Sequence, residues 1–422
     1  MPAEADRRPD APREPAPRLH LALEYAIVDG ESLDVAPAAD GLLEAVSAAG
    51  GDRAGEPRWA HRLPRHVVAL QGVTASAAGL AGLAGAFQRE IALANRELER
   101  HGLRLMPSSM HPWMDPSREL AVWPGEGSER YAALGRVVDC NAHGIANAYR
   151  AALALPFGSD EELARLHSAV RFLLPILPGL AASSPLVAGE RNGVLDNRLA
   201  LHRAAYARLP ALAGEIVPDP VGSLEEYRDR VLEPLYAALA EHDPEGLLRD
   251  WPVDARGAVV RLDLQAIEVS ALDAQEAPAM DAAYATLIAA VVRLLAEEQW
   301  AEERSLRGWR TESLAQLLER AARDAERAEI GDRRYLAALG FRGGSATLRR
   351  LWEHLAEQVD ARAGLDEHTG RRLEHYLRHG SLATRIAQAC GLLPSPAAIA
   401  RVYERLCESL ATGEPFAPEP AR

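Results

Sequence analysis

The sequence predicts an α/β protein in which an antiparallel or mixed β-sheet is backed by helices and followed by a mainly helical C-terminal region. Strand patterns come first and helices follow; strand patterns return at 257–273, and from about residue 278 the pattern is almost purely helical. Strands and helices do not alternate one by one, and the chain has no G-x-G-x-x-G sequence. Because parallel strands need crossover helices between them, this order favours antiparallel pairing.

The first strand is predicted at residues 20–29, where every second residue from Leu21 to Ile27 is apolar. The positions between them are mixed and include Glu24. Side chains alternate between the two faces of a strand, so this pattern predicts one apolar face and one partly polar face.

The next segments give an extended region and a long helix. Residues 61–71 have strand character, but Pro64 predicts an edge or bulged strand because proline cannot donate to the ladder. Residues 76–102 have the apolar spacing of a helix that stops at Gly102. Helical spacing also covers 129–151.

Residues 152–157, with the sequence ALALPF, predict a short apolar strand. Ser159 then stands as the N-cap of an amphipathic helix, because its side chain can accept from a free backbone N–H of the first turn. The segment 183–210 predicts a loop leading into another helix, and breaks at 340–345 and 379–381 divide the C-terminal helices.

Composition excludes several classes of function. The net charge is −14, from 47 basic and 61 acidic residues. This balance argues against nucleic acid and against an anionic membrane surface, both of which require clustered cations. Every basic residue apart from histidine is an arginine. The absence of lysine excludes a P-loop lysine and a Schiff-base lysine.

Cysteine content and the N-terminal sequence bear on the compartment. The three cysteines are odd in number and widely spaced, which supports neither a disulfide framework nor a zinc site. The N-terminus has no apolar signal-peptide region. The most apolar stretch, residues 166–189, is interrupted by Arg171, Pro175 and Pro178 and falls short of the roughly 18 uninterrupted apolar residues that a membrane span needs. The sequence therefore predicts a cytoplasmic protein with no membrane segment.

Four ordered segments carry a resemblance to known proteins: ALEYAIVD at 22–29, RLMPSSMHPWMDPSRE at 104–119, SSPLVAGERNGVLDNRLALHRA at 183–204 and GAVVRLDLQAIEVSALDAQEAP at 257–278. Together they resemble the second glutamate–cysteine ligase family, also called carboxylate–amine ligases. The resemblance extends over about 20–412. It implies a glutamine-synthetase-like fold, in which an antiparallel sheet forms a funnel that holds ATP at one end and amino-acid substrates at the other.

The resemblance, together with the Pro-rich composition of both ends, predicts four segments of the chain. These are a disordered tail at 1–18, a glutamine-synthetase-like ligase domain at 19–300, a helical region at 301–412 packed on it, and a loose tail at 413–422.

Several residues depart from the pattern that the resemblance implies. The family carries Glu-x-Glu on its first strand, where this chain has Ala22 and Glu24. It carries two glutamates seven residues apart on its second strand, where this chain has Arg62 and Ala69 following Trp59. The resemblance therefore predicts a loss of carboxylates from the funnel.

The later strands show the same departure. The family has a Gln-x-x-His-x-Asn run that leads into Leu-Pro-Phe. In this chain Tyr149 stands in place of the Gln, Ala152 in place of the His and Ala154 in place of the Asn. On the late strand, Glu-x-Arg becomes Glu268 and Ser270, so the arginine expected to meet phosphate is missing. Seven of the nine polar positions are thus substituted, counting those on the first two strands.

These substitutions predict a divergent homologue without ligase activity, which acts by binding a glutamate-like small molecule or by pairing with a protein partner such as an active paralogue. No cofactor is expected in that case. The alternative is an active ATP-dependent ligase that joins a glutamate-like carboxylate to an amine, and it requires Mg²⁺ and ATP.

The two surviving glutamates, Glu24 and Glu268, are the strongest site candidates, because acidic side chains on a sheet interior are costly without a partner. In the absence of a metal, Arg62 could pair with either of them and take the place of the cation.

Two loops supply further candidates. His111 and Asp115 could line the amino-acid pocket or could simply form turns beside prolines. Arg191, Asn197 and Arg198 surround a glycine loop that enters a helix. Arg198 could clamp a substrate carboxylate bidentately, or Asp196 and Arg198 could simply anchor the loop.

Overall fold

The computed structural model describes residues 18–48, 55–249 and 253–418. The predicted tail at 1–18 lies outside these residues except for Arg18. Within the described ranges, seven strands form one sheet, and a separate pair of short strands lies in the C-terminal half. The strands are β1 (Leu19–Asp29), β2 (Arg58–His61), β3 (Val67–Thr74), β4 (Leu103–Met106), β5 (Arg150–Pro156), β6 (Ala258–Arg261), β7 (Ala266–Asp273), β8 (Glu329–Ile330) and β9 (Ala346–Thr347).

The large sheet is antiparallel throughout, as the order of elements in the sequence predicts. Its strands lie in the order β2-β3-β1-β5-β7-β6, and β4 pairs with the C-terminal half of β1. The long first strand is therefore central, with β3 along one side and both β4 and β5 along the other.

Helices cover the sheet and form the C-terminal half. In the first 250 residues they are α1 (Ala39–Ala48), α2 (Leu80–Glu99), α3 (Pro116–Glu119), α4 (Ser128–Val137), α5 (His143–Ala146), α6 (Asp160–Leu173), α7 (Pro178–Ala181), α8 (Asn197–Ala205), α9 (Leu224–Tyr227) and α10 (Glu233–Leu239). Later ones are α11 (Pro278–Ala296), α12 (Glu303–Arg307), α13 (Thr311–Asp324), α14 (Arg333–Ala338), α15 (Leu348–Ala363), α16 (Glu367–His379), α17 (Leu382–Cys390) and α18 (Pro396–Thr412).

Two elements differ from the sequence prediction. The segment 61–71 is not one edge strand, because β2 ends at His61, β3 begins at Val67, and Pro64 lies in the connection between them. The single helix predicted over 129–151 is broken after α4, and its last two residues belong to β5. The helical spacing over 129–151 arises because two short helices, α4 and α5, each direct small or apolar residues into the core.

Local signals in the sequence account for several element ends. The Ser159 side chain accepts a hydrogen bond from the backbone N–H of Glu162, as predicted for an N-cap of α6. Between β6 and β7 the chain turns at Gln265, which has a φ of 47°. The late strand signal at 257–273 is therefore a hairpin of two strands.

One described helix, α11, is long and apolar enough by length and composition to cross a membrane. Within the fold, 67% of its most apolar window is buried, as in the central helix of a soluble core. It packs against α2, α6 and α16, and so joins the sheet half of the molecule to the helical half.

The segment after α18 differs from the loose tail expected from residue 413. Phe416 is 2% exposed, and its backbone oxygen accepts a hydrogen bond from Nη1 of the buried Arg385. The guanidinium of Arg405 lies 4.9 Å from the centre of the Phe416 ring. Residues 413–418 are thus held against the fold by one aromatic anchor, and 419–422 lie outside the described residues.

Candidate functional site

The positions predicted to face the funnel do share one face of the sheet. Glu24 on β1 lies directly opposite Ala69 on β3, and Ala22 lies opposite Ala152 on β5. Residues opposite each other in an antiparallel ladder project to the same side. The methyl groups of these alanines therefore stand beside the surviving glutamate.

The same face continues across β5 to β7. Ala154 lies opposite Glu268. At Ser270 the pairing is interrupted by a β-bulge, in which the N–H groups of Ser270 and Ala271 both donate to the backbone oxygen of Gly257. The bulge brings the Ser270 side chain to the edge of a cavity that also contains Glu24.

Glu24 is engaged by two arginines. Its Oε1 accepts a hydrogen bond of 2.6 Å from Nε of Arg62, so the pairing expected from the sequence is present. Its Oε2 accepts from the backbone N–H of Arg150 at 3.0 Å, and Arg150 Nε lies 3.6 Å from Oε1. Burial acts to raise the pKa of Glu24, but the two guanidinium groups and their hydrogen bonds outweigh it, and the net pKa is lowered.

Glu268 is neutralised in the same way. Its Oε2 accepts a hydrogen bond of 2.6 Å from Nη1 of Arg261, and its Oε1 lies 3.7 Å from Nη2 of Arg150. Arg150 therefore stands between the two glutamates. Burial acts to lower the pKa of Arg150, but Glu24 and Glu268 raise it on balance, so the bridging guanidinium stays charged.

Arg150 and Arg261 were missed by sequence reasoning. The sequence prediction places Arg150 at the end of a helix and Arg261 within a strand, and it names neither as a partner of the glutamates. The sequence does contain a signal for Arg261. Val259 pairs with Glu268, and Arg261, two residues further along β6, projects to the same side of the sheet as Val259. For Arg150 the sequence offered no signal beyond its place just before an apolar strand.

The donor set does not fit a divalent cation. Both oxygens of each surviving glutamate are within 4 Å of a guanidinium or bonded to a backbone N–H. Among the described residues, no group of three or more His, Cys, Asp or Glu side chains is placed to hold a metal. Magnesium is bound by several oxygen ligands, and the carboxylate oxygens that remain here are already engaged by arginines or a backbone N–H.

Tyr149 lies away from the cavity lining. Its side chain is fully buried in a second apolar cluster with residues of α17 and α18, and its ring meets the edge of His66 at 6.1 Å between centroids. Burial raises the pKa of the Tyr149 hydroxyl, which therefore stays protonated. In the position implied for a polar funnel residue, this side chain instead contributes to the core.

His111 and Asp115 have structural roles in the loop before α3. His111 is fully buried, its Nε2–H donates to the backbone oxygen of Leu33 at 2.7 Å, and its Nδ1 accepts from the N–H of Met114. Burial lowers the pKa of His111 to about 4, so the ring is neutral. Asp115 caps α3 by accepting from the N–H of Ser117. Neither lines the cavity beside Glu24.

Arg191 and Asn197 also hold backbone. Nη1 of Arg191 donates to the backbone oxygens of Ala387 and Gly391, which ties the glycine loop to α17. Nδ2 of the buried Asn197 donates to the backbone oxygen of Ser184 at 2.8 Å. Their side chains fix the loop that leads into α8.

Arg198 joins the surviving glutamate at the cavity. It is 5% exposed, its Nε donates to Asp273 at 2.6 Å, and its Nη1 donates to the backbone oxygen of Ser270. Its Nη2 has no hydrogen-bond partner within the described part of the chain. Arg198 thus anchors the loop, but through Asp273 and not together with Asp196, which caps α8 by accepting from the backbone N–H of Leu199. The clamping of a substrate carboxylate by Arg198 stays a prediction.

The cavity has a volume of about 220 Å³ and lies between the sheet face, α4, α5 and α8. Its charged lining consists of Glu24, Asp254, Arg62, Arg150, Arg198 and Arg256. Arg256 was not predicted. It pairs with Asp254 at 3.0 Å and Asp219 at 3.1 Å.

A family model described as glutamate-cysteine ligase family 2 matches residues 21–405. An uncharacterized protein of Archaeoglobus fulgidus is 29% identical over 247 residues, covering 57% of this chain and 67% of that protein. A putative glutamate–cysteine ligase 2-1 of Nocardioides sp. is 34% identical over 157 residues, which is 37% of each chain.

Solved structures show the same fold. The glutamate–cysteine ligase of Francisella tularensis in complex with AMP has a TM-score of 0.58 and 10% identity, covering 94% of this chain and 90% of that one. A bifunctional glutathione synthetase from Pasteurella multocida has a TM-score of 0.54 and 13% identity, covering 94% of this chain and 52% of that one. At these identities the likeness concerns the fold alone.

Proposed function

The chain belongs to glutamate-cysteine ligase family 2, and we propose that it is a divergent member that has lost ATP-dependent ligation and acts by binding a glutamate-like small molecule or by pairing with a protein partner. The observation that carries the proposal is the hydrogen bond from Arg62 to Glu24. The charge of Glu24 is compensated by a guanidinium, and this supports the proposal because the ligase reaction needs metal ions bound by such carboxylates.

The chemistry of the reaction explains why this matters. Phosphorylation of a carboxylate by ATP brings several anionic groups together, and divalent cations neutralise them while orienting the phosphates. In this chain Arg62, Arg150 and Arg261 neutralise the glutamates instead. The oxygens that would have to bind a metal ion belong to Glu24 and Glu268, whose side chains are mostly buried, and they already accept hydrogen bonds from these arginines.

The proposal also includes a compartment and a partner. The acidic composition supports a soluble, cytoplasmic protein whose function involves neither nucleic acid nor a membrane. A partner could be a competent member of the same family. The proposal requires no cofactor.

One observation favours the alternative, an active ATP-dependent ligase that forms an amide between a glutamate-like carboxylate and an amine. Glu24 and Glu268 are retained on one face of the sheet, and Arg198 lines the same cavity as Glu24. In that case Mg²⁺ and ATP would have to displace Arg62 from Glu24.

The two functions are separated by nucleotide binding and turnover. The full-length protein is titrated calorimetrically with ATP in the presence of Mg²⁺, and ADP release is followed with glutamate and a panel of amines that includes cysteine. The Francisella tularensis ligase, assayed in parallel, shows that the conditions support the reaction. We expect neither saturable ATP binding nor ADP release above the enzyme-free background. ADP release that requires both Mg²⁺ and glutamate would establish the active ligase instead.

Partner binding needs a separate measurement. The tagged full-length protein is co-expressed with a competent family member and purified through the tag. Stoichiometric recovery of the untagged protein that survives gel filtration supports pairing, and separate elution of the two proteins restricts the proposal to ligand binding.

A further inference from the structure

Two consecutive leucines project from the surface of the helical half of the molecule. Leu392 is 85% exposed and Leu393 is 96% exposed, in the loop that joins α17 to α18. Apolar side chains scattered singly over a surface are ordinary, whereas neighbouring ones that form a patch mark sites of protein–protein interaction. The leucine pair therefore points to a surface that another protein covers.

The loop that carries the leucines is bonded at both ends. Gly391 follows α17 with a φ of 80°, and its backbone oxygen accepts a hydrogen bond of 2.8 Å from Nη1 of Arg191. At the other end, the side chain of Ser395 caps α18 by accepting from the backbone N–H of Ala398. The leucines are thus presented on an ordered turn, which reduces the conformational entropy that a binding event has to remove.

A groove lies directly beside this loop, and we call it the α17 groove. Its volume is about 230 Å³, and Leu392 stands at its edge. The buried residues Leu195 and Ala387 line it and belong to a small apolar cluster whose other members are Ala182, Ala325 and Ala383. Because these side chains are mostly methyl groups, they leave space at the surface. A cavity of roughly 150 Å³ already holds a benzene molecule, so the α17 groove has room for a leucine side chain.

Charges of both signs accompany the leucines and the groove. Arg327 lines the α17 groove, and Glu190 precedes Arg191, the residue that is bonded to the loop. Glu190 and Arg327 are both exposed, and neither side chain has an ion-pair partner within the described ranges. The patch therefore carries one unpaired charge of each sign.

These four features complement one another. A two-fold interface joins the same patch of two copies, so each projection has to meet a recess, and each charge its opposite, on one and the same surface. Here Leu393 is the projection, the α17 groove is the recess, and Glu190 and Arg327 are the opposite charges. Another kind of partner would need its own recess, projection and both charges in matching places, whereas a second copy supplies all of them by symmetry.

We propose that two copies of this chain associate through this patch about a two-fold axis. Leu393 of each copy occupies the α17 groove of the other, and Glu190 of each copy pairs with Arg327 of the other. The inference goes beyond the proposed function, because the α17 groove shares no lining residue with the cavity beside Glu24. Self-association through it requires neither the loss nor the retention of ligase activity.

The test measures the mass of the full-length protein in solution by analytical ultracentrifugation over a range of concentrations. We expect a reversible equilibrium between the chain of 45.6 kDa and a species of twice that mass. Leu393→Glu is expected to weaken dimerisation at least about hundredfold, since every dimer contains the change twice. Leu262→Glu makes the same substitution at another exposed leucine, at the end of β6, and is expected to leave the dissociation constant unchanged.

Exchange of the charges tests the two-fold geometry. Glu190→Arg and Arg327→Glu each place like charges opposite one another at two points of the dimer, so each variant alone is expected to dimerise at least about tenfold more weakly. When the two variants are mixed, both arginines of the first face both glutamates of the second. We therefore expect the mixture to form a heterodimer with the affinity of the parent protein, and circular dichroism confirms that each variant is folded.

Several results overturn the inference. They are a parent protein that stays monomeric at about 100 µM, well above the dissociation constant of an interface of standard size, a dimer that Leu393→Glu leaves intact, and charge variants that do not recombine on mixing. A monomer that binds a competent family member through Leu393 would assign the surface to that partner instead. None of these measurements involves a nucleotide, so failure of this inference is distinguishable from failure of the proposed function, which is decided by ADP release.

Discussion

The ion pair between Arg62 and Glu24 makes a measurable contribution to stability, and Arg62→Gln removes it. The Arg62 side chain is 27% exposed and the Glu24 side chain 7% exposed. Breaking a fully buried pair by removing one partner costs about 3–5 kcal/mol. Partial exposure of Arg62 and the remaining bonds of Glu24 to Arg150 reduce the expected loss to about 2 kcal/mol, near the value of a hydrogen bond to a charged group.

The sign of the pH dependence follows from the lowered pKa of Glu24. A carboxyl whose folded pKa lies below its unfolded value of 4.5 stabilises the fold at pH values above 4.5, and this contribution is lost as the pH falls through the folded pKa. In Arg62→Gln the effect of burial is less opposed, so the folded pKa of Glu24 is higher than in the parent protein. The difference in stability between the two proteins is therefore full at about pH 7 and shrinks below about pH 4.5.

Urea denaturation at a series of pH values measures this difference, because the free energy of unfolding falls linearly with denaturant. Arg58→Gln is the matched control, since Arg58 is an exposed arginine on the adjacent strand β2. A double-mutant cycle with Glu24→Gln isolates the pairwise energy. A loss below about 0.5 kcal/mol at about pH 7, the range of ordinary surface substitutions, would refute the reasoning. So would a loss that does not change with pH.

Three further predictions concern the core. Glu276→Gln breaks the fully buried pair with Arg385 and is expected to cost about 3–5 kcal/mol in urea denaturation, against less than about 0.5 for the exposed control Glu374→Gln. Phe416→Ala is expected to cost about 3–5 kcal/mol, and a change near zero would restore the interpretation of a loose tail. His111 is expected to remain neutral down to about pH 5 in an NMR titration, because its pKa is about 4, and an inflection near 6.5 would contradict its burial.

The lowered pKa of His111 also sets a direction for stability. The unfolded chain binds a proton at the histidine near pH 6.5, whereas the folded chain does so only near pH 4. The contribution of this residue to the free energy of unfolding therefore decreases as the pH falls from about 6.5 to about 4.

Much of the fold could be predicted because its signals are local. The two-residue period over 20–29 placed β1 within one residue of its observed start, and Ser159 marked the start of α6. The prediction failed over 129–151, where helical spacing could not reveal the break after Val137. It also failed at Pro64, where an extended pattern covered a connection rather than a strand. At both the break after Val137 and the connection at Pro64, the turn of the chain depends on packing against other elements, which local sequence patterns do not encode.

The candidate site was only partly accessible from the sequence. The face shared by Glu24, Ala69 and Ala22 follows from strand periodicity once the pairing is known. The pairing of Arg62 with Glu24 could be formulated as a hypothesis, because a buried carboxylate needs a counter-charge. The bridging position of Arg150 could not, because it lies 126 residues from Glu24 in the chain and depends on the register between β1 and β5.

The sequence by itself determined the family, the antiparallel order of the strands and the loss of carboxylates from the sheet face, because residue identity and period are local properties of a chain. Only the tertiary structure decided which charges meet. It placed three arginines from separate segments on Glu24 and Glu268, turned Tyr149 into the core and left one donor of Arg198 free. Electrostatic pairing depends on distances of a few ångströms between residues far apart in sequence, and such distances are set by packing and strand register.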